Sequence, residues 1–168
     1  MSTPDRPDRM YRWGRPIDTV FVSDERLYRR CVGNEIRQGN VFADQIPFYP
    51  DMSVSRSKYS FPEDVLYPDF FAQCGVFSFG VHDIPASYSS DKDTHYEWKP
   101  EHDPQDDNFA HTEVRTYKNG LFTRGLNIGS KVVKKYFREL LQDRSRIDIA
   151  PGEAIGDIHD ARPPPTAS

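Results

Sequence analysis

The chain has 168 residues, a formal net charge of −4 and 13% aromatic residues. That length predicts one folded domain, because domains commonly take up about 100–150 residues. The acidic balance argues against a generally basic nucleic-acid binder, and no apolar run approaches the roughly 18 residues of a membrane span. The opening residues also lack the apolar core of a signal peptide. We therefore expect a soluble, cytoplasmic protein that makes no contact with a membrane.

The first half of the chain predicts short strands joined by loops. Residues 1–16 combine prolines, arginines and isolated aromatics, which is typical of a flexible N-terminal arm. Between Ser60 and Leu66, a capping serine and a proline in the first turn predict a short helix. Short apolar or alternating runs predict strands at 17–22, 26–32 and 52–56.

The second half contains the strongest signals. Residues 74–81 form the most apolar run and predict the central strand of a sheet, because two glycines and several aromatics disfavour a helix. Residues 94–99 and 109–117 alternate as strands do, and Lys118-Asn119-Gly120 predicts a hairpin turn. Apolar residues at helical spacing predict a helix over Ser130–Arg144.

These elements predict a single α+β domain over residues 17–146. Its sheet should be mainly antiparallel, because the loops are too short for repeated crossover helices, and the C-terminal helix should cover one face of the sheet. The proline-rich stretch over 147–168 predicts a disordered C-terminal tail.

The strand beginning near Phe109 carries the most chemistry in the sequence. Because side chains alternate along a strand, His111, Glu113, Arg115 and Tyr117 should share one face. Ala110, Thr112, Val114 and Thr116 lie on the other face, where they can cover a core. A row of imidazole, carboxylate, guanidinium and phenol can perform acid–base chemistry or bind an anion. It can equally form the wet face of a sheet, held by cross-strand ion pairs.

If the row is a functional site, its members take distinct roles. His111 would be the general acid or base, and Glu113 would orient it or act as a second base. Arg115, together with Arg29 or Arg30 from a neighbouring strand, would hold a phosphate or carboxylate. Asn108 would position the turn that leads into the strand.

Several short fragments occur together in one order: Leu27-Tyr28-Arg29-Arg30, Ser53-Val54, Pro62-Glu63, Gly75-Val76-Phe77-Ser78-Phe79, Asp103-Pro104, Asn108-Phe109-Ala110-His111 and Ser130-Lys131. This order resembles a group of small bacterial proteins that has no established activity. The chain departs from that group at Phe109, where the group has proline. The resemblance implies that Arg29, Arg30, Asn108 and His111 are features of the group, and it implies no reaction.

The sequence lacks the common cofactor and metal motifs. The five histidines form no HxxxH or HExxH spacing, and there is no Walker loop, GxGxxG or GxSxG. We therefore expect no bound cofactor and no metal site.

Two classes of function remain after these exclusions. In the first, the protein is a small accessory subunit that binds a protein partner, with an anion-binding polar cleft. In the second, it is a small nuclease or an ADP-ribosyl-transferring toxin-like enzyme that uses His111 as general acid or base, and its ligand is a phosphate-containing molecule or a nucleic acid. The enzyme hypothesis also predicts that the protein has a concave pocket.

Overall fold

The ten described strands assemble mainly into one large antiparallel sheet. The structure is a computed structural model that describes residues 6–33, 36–37, 40–41, 51–67, 73–123 and 131–153. The strands are β1 Arg26–Cys31, β2 Ile36–Arg37, β3 Asn40–Val41, β4 Asp51–Arg56, β5 Gly75–Gly80, β6 Ser87–Asp91, β7 Thr94–His102, β8 His111–Lys118, β9 Leu121–Phe122 and β10 Arg146–Ile149. The order in the large sheet is β10-β5-β1-β4-β8-β7-β6, with β9 added beside β8; β2 and β3 pair separately.

One helix, α1 (Lys131–Arg144), covers the apolar face of the sheet. Val133, Phe137 and Leu141 project from it at helical spacing and are fully buried. They pack with strand residues such as Phe77 and Trp98 in the main core. The fold is thus the α+β domain with a mainly antiparallel sheet and a C-terminal helix that the sequence predicts. The predicted cap of this helix, Ser130, lies outside the described residues.

The opposite face of the sheet is polar over much of its width. The pairing of the strands places five residues, one from each of five strands, in a row on this face, because directly paired residues point to the same face. That row comprises Arg146, Ser78, Tyr28, Ser55 and His111. A 3₁₀ helix follows β4 at Pro62–Leu66 and packs over this face beside β1 and β5. The polar face is therefore partly roofed.

The structure differs from the sequence prediction at several elements. Residues 17–22 form no strand, and the Asp18 and Val20 carbonyls accept hydrogen bonds from the Arg56 side chain (3.0 and 2.5 Å). The element at Pro62–Leu66 is a 3₁₀ helix. The apolar run over 74–81 forms β5, which lies next to the edge of the sheet, since β10 pairs outside it. Because β10 ends at Ile149, the folded part of the chain extends beyond residue 146.

Residues 6–16, which the sequence assigns to a flexible arm, lie against the domain. Arg9 donates hydrogen bonds of 2.9 and 2.7 Å to the buried Asp64 carboxylate. The amide of Phe109 donates to the Met10 carbonyl at 2.7 Å. The Arg15 guanidinium lies 3.7 Å from the centre of the Phe109 ring. These contacts connect the arm to the 3₁₀ helix and to the entry of β8, while its mobility stays a prediction.

Within the described ranges, no helix combines the length and the apolar composition that a membrane crossing requires. Residues 154–168, which make up most of the predicted disordered tail, lie outside the described part of the chain.

Candidate functional site

A pocket of about 290 Å³ opens on the polar face of the sheet. Its floor is formed by β1, β4 and the start of β8. Its walls are the N-terminal arm, the 3₁₀ helix at Pro62–Leu66 and the turn over 105–108. The lining includes charged and polar side chains from all of these segments: Arg6, Arg29, Arg30, Ser53, Ser55, Asp64, Asp107, Asn108 and His111, with Tyr28 and Tyr67 among the apolar contributions.

His111 and Glu113 form a direct pair at the start of β8. The Nε2 atom of His111 lies 3.1 Å from Oε1 of Glu113, so the two side chains lean together along the strand. Ser53, which is paired with Glu113 in the register of β4 and β8, donates its hydroxyl to the same carboxylate oxygen at 2.9 Å. The other ring nitrogen of His111, Nδ1, lies 2.8 Å from the Asp103 carbonyl oxygen. Both nitrogens of the imidazole therefore face oxygen atoms.

This geometry favours the imidazolium form of His111, because only that form donates from both ring nitrogens. Burial acts to lower the pKa of His111. The hydrogen bonds to Glu113 and to the Asp103 carbonyl, with the negative charges of both residues, outweigh burial and raise the pKa above its usual value of 6.5. Burial acts to raise the pKa of Glu113, but hydrogen bonds from His111 and Ser53 lower it below 4.5.

The pocket brings together four of the six residues that the sequence singles out. Arg29 and Arg30 reach it from β1, Asn108 from the turn, and His111 from β8. Arg29 also donates to the backbone carbonyl of Ser53 at 2.9 Å. Ser53 is the residue whose hydroxyl donates to Glu113, so Arg29 is linked to the His111–Glu113 pair through Ser53. Asn108 shapes the turn through its backbone, since its carbonyl accepts from the amides of Gln105 and His111 at 3.1 Å each.

Arg115 lies outside the pocket lining. Its guanidinium binds Glu101 at 2.6 Å and approaches Asp103 at 3.4 Å. Tyr117 donates a short hydrogen bond to the same Glu101 carboxylate, and burial together with that bond raises the pKa of Tyr117 to about 12. The far end of the predicted row is therefore a cross-strand ion-pair ladder, the alternative that the sequence left open. The predicted row therefore has two parts: His111 and Glu113 form one pair, whereas Arg115 and Tyr117 both bind Glu101.

Sequence reasoning missed several residues that line the pocket. Tyr28 and Ser55 are brought to His111 only by the pairing of β1 with β4 and of β4 with β8. Arg6 belongs to the arm, whose position depends on the contact of Arg9 with Asp64, 55 positions away, and on that of Met10 with Phe109, still further along the chain. Alternation along β4 could have placed Ser53 and Ser55 on one face. Nothing in the local sequence indicates that Arg6 lies there.

Asp103, His111 and Glu113 are the described residues that come closest to a set of metal ligands. One ligand atom from each lies within 4.8 Å of the others. Because Nδ1 of His111 faces a carbonyl, Nε2 would be the ligand atom, and a cation would replace the proton between His111 and Glu113. Such a cation would also compete with Arg115 for Asp103.

No protein family model, curated protein or solved structure matches the chain. Function must therefore be inferred from the geometry of the pocket.

Proposed function

We propose that this protein binds a phosphate-containing anion in the pocket between β1, β4 and the start of β8. The observation that carries the proposal is the convergence of Arg29, Arg30, Asn108 and His111, from three separate segments, on one cavity. A guanidinium presents donors in a planar fork that matches the oxygens of a phosphate. An imidazolium adds charge at the floor. The neutral polar groups of Ser55 and Asn108 suit the hydroxyl or ester oxygens of the same ligand.

The His111–Glu113 pair gives the pocket a catalytic interpretation as well. Glu113 orients the imidazole, as a carboxylate does in many acid–base pairs, and its hydrogen bond and negative charge act to raise the pKa of His111, which favours the protonated ring. Transfer of that proton to a ligand requires His111 to exchange an oxygen of the protein for one of the ligand. The corresponding reaction classes are cleavage of a phosphodiester and transfer of an ADP-ribosyl group.

Calorimetric titration with inorganic phosphate, an RNA dinucleotide and NAD tests binding and separates the ligand classes. We expect Arg29→Gln to weaken binding about tenfold, since a hydrogen bond to a charged group contributes about 1.5–3 kcal/mol. Arg146→Gln is the matched control, because Arg146 is an exposed arginine of the same sheet that pairs with Asp148, outside the pocket. Equal affinity of both variants and the parent would contradict the proposal. Product formation from the RNA or from NAD would identify the reaction.

A second function, binding of a protein partner, is supported by three exposed apolar residues near the N-terminus. Trp13, Ile17 and Val20 are 71%, 54% and 63% exposed. Large apolar side chains that are exposed in one segment are candidates for an interaction surface. We expect that co-expression with the products of neighbouring genes yields a complex, and that Ile17→Asp together with Val20→Asp disrupts it. A complex that still forms after both changes would show that the interface lies elsewhere on the protein.

A further inference from the structure

The N-terminal arm is one wall of the anion pocket. Arg6 lines the cavity, where its guanidinium lies 4.6 Å from the centre of the Tyr67 ring and 3.1 Å from the Asp107 carboxylate. Tyr67 ends the 3₁₀ helix and Asp107 belongs to the turn before β8. Arg6 therefore contacts both the end of the 3₁₀ helix and the turn before β8.

Two stronger connections hold the arm in this position. Arg9 binds the buried Asp64 carboxylate with two hydrogen bonds. The backbone pairs with the turn through the Arg12 amide on the Asp106 carbonyl at 2.9 Å and the Phe109 amide on the Met10 carbonyl. The arm is thus anchored on the C-terminal side of Arg6, and the Arg6 side chain can change partner without release of the arm.

The present partner of Arg6 is a weak competitor. The Asp107 side chain is 55% exposed, so water screens its attraction for the guanidinium, and such pairs are typically worth little. A phosphate inside the pocket carries more charge and accepts two parallel hydrogen bonds from one guanidinium. The Tyr67 ring would hold the guanidinium at the wall during the exchange.

We propose that Arg6 is a ligand-responsive anion contact, which leaves Asp107 and joins Arg29 and Arg30 when a phosphate-containing ligand enters. This inference rests on the proposed anion-binding function and assigns the arm a part in it. The fluorescence of Trp13 can report a movement of Arg6. The Arg6 backbone amide donates to the Tyr11 hydroxyl at 3.3 Å, and the Tyr11 ring lies 5.0 Å from the Trp13 ring.

The test is a pyrophosphate titration of the full chain, followed by calorimetry and by tryptophan fluorescence. We expect Arg6→Gln to weaken binding about tenfold and to remove the fluorescence change. Asp107→Asn should tighten binding about threefold, because it removes the competing carboxylate. Arg12→Gln is the control: its side chain bonds the Arg15 carbonyl and does not line the pocket. Trp13→Phe should lose the signal and keep the affinity.

The outcomes separate this inference from the proposed function. If the parent binds pyrophosphate, Arg29→Gln loses it and Arg6→Gln retains it, the role of Arg6 is overturned while the pocket stands. If Asp107→Asn weakens binding as much as Arg6→Gln does, the pair is only a structural bridge and the exchange of partners is overturned. If the parent does not bind pyrophosphate at all, both the pocket and the role of Arg6 are overturned.

Discussion

Two clusters of charged side chains lie on the same sheet, and they use their charges differently. The first, which we call the Arg56 network, consists of Arg56, Glu25 and Asp18. Arg56 and Glu25 are 0% and 1% exposed and share two hydrogen bonds of 2.6 and 2.8 Å. Asp18 approaches Arg56 at 3.3 Å. The second cluster is the pair of His111 and Glu113 at the pocket.

The surroundings of the two clusters differ, although both find hydrogen-bond partners within the protein. The Arg56 guanidinium also donates to two backbone carbonyls and lies 3.9 Å from the centre of the Phe21 ring. Since Arg56 is fully buried, these protein groups surround it. His111 instead borders a cavity that also contains arginines and neutral polar groups. The Arg56 network therefore holds the segment over residues 18–25 in place, whereas the His111 pair leaves room for a ligand.

The buried histidine His102 sharpens the contrast. Its Nδ1 accepts the amide proton of Asp18 at 2.9 Å and its Nε2 donates to the Phe109 carbonyl, which fixes a neutral ring. Burial lowers the pKa of His102 below its usual 6.5, and the hydrogen bond to Phe109 offsets this only in part. Two buried histidines of adjacent strands thus have opposite charge preferences, because one ring faces a donor and an acceptor and the other faces two oxygens.

The largest expected effect follows from breaking the Arg56 network. Glu25→Ala leaves the Arg56 charge buried without its carboxylate partner and should lower the free energy of unfolding by about 3–5 kcal/mol. Urea denaturation followed by circular dichroism measures the change. The control is Glu139→Ala, which removes an exposed helix pair with Lys135 and should cost less than about 0.5 kcal/mol. Similar losses in the two variants would show that the buried pair is not special.

His111→Asn should weaken phosphate binding about tenfold and also destabilise the protein by about 1–3 kcal/mol, because a buried charged hydrogen bond is lost. Only 9% of His111 is exposed, so its hydrogen bonds lie largely out of contact with water. Calorimetric titration and urea denaturation measure the two effects. Unchanged binding per folded molecule would assign His111 a purely structural role.

The stability that His111 contributes should depend on pH. Its folded pKa is raised, so the contribution is complete below about pH 6.5 and is lost as pH rises through the folded value. The folded pKa of Glu113 is lowered, so its contribution is complete above about 4.5 and is lost as pH falls through the folded value. Unfolding free energies of the parent and of His111→Asn should therefore differ most between these limits. A constant difference up to about pH 9 would contradict the raised pKa.

Arg115→Gln should have a smaller effect than either change above. Its ion pairs with Glu101 and Asp103 are partly exposed, and such pairs contribute about 0–1 kcal/mol. Binding of inorganic phosphate should remain within about twofold of the parent, because Arg115 does not line the pocket. Melting temperature and phosphate affinity, compared with those of Arg29→Gln, measure the difference. A tenfold loss of affinity would return Arg115 to the site.

The subtlest expected effect is a difference between two titration curves. In nuclear magnetic resonance spectra of the histidine ring carbons, His111 should titrate above pH 6.5 and His102 below it. Asn replacement of each residue assigns its signal. A His111 signal that titrates below the His102 signal would reverse the comparison between the two clusters.

Local sequence pattern determined one strand face, the helix and the hairpin turn. Alternation from Ala110 to Tyr117 placed His111, Glu113, Arg115 and Tyr117 on one face, and the register of β8 confirms that face. Hydrophobic spacing predicted α1, and Asn119-Gly120 predicted the hairpin turn, where both residues have positive φ (49° and 81°). These features could be predicted because they depend only on the periodicity of side chains along a strand or helix, or on the backbone conformation of a few neighbouring residues. The α+β class followed from them.

Only the tertiary structure decided which charged groups face a cavity. Residues 6–16 have no periodic pattern, and their place depends on Asp64 and Phe109, far along the chain. The edge strand β10 is short and formed by pairing with β5. The split between Glu113 and Arg115 depends on neighbours that β4 and β7 supply, Ser53 for one and Glu101 for the other. Strand alternation fixes the direction of a side chain, whereas cross-strand register fixes its partners.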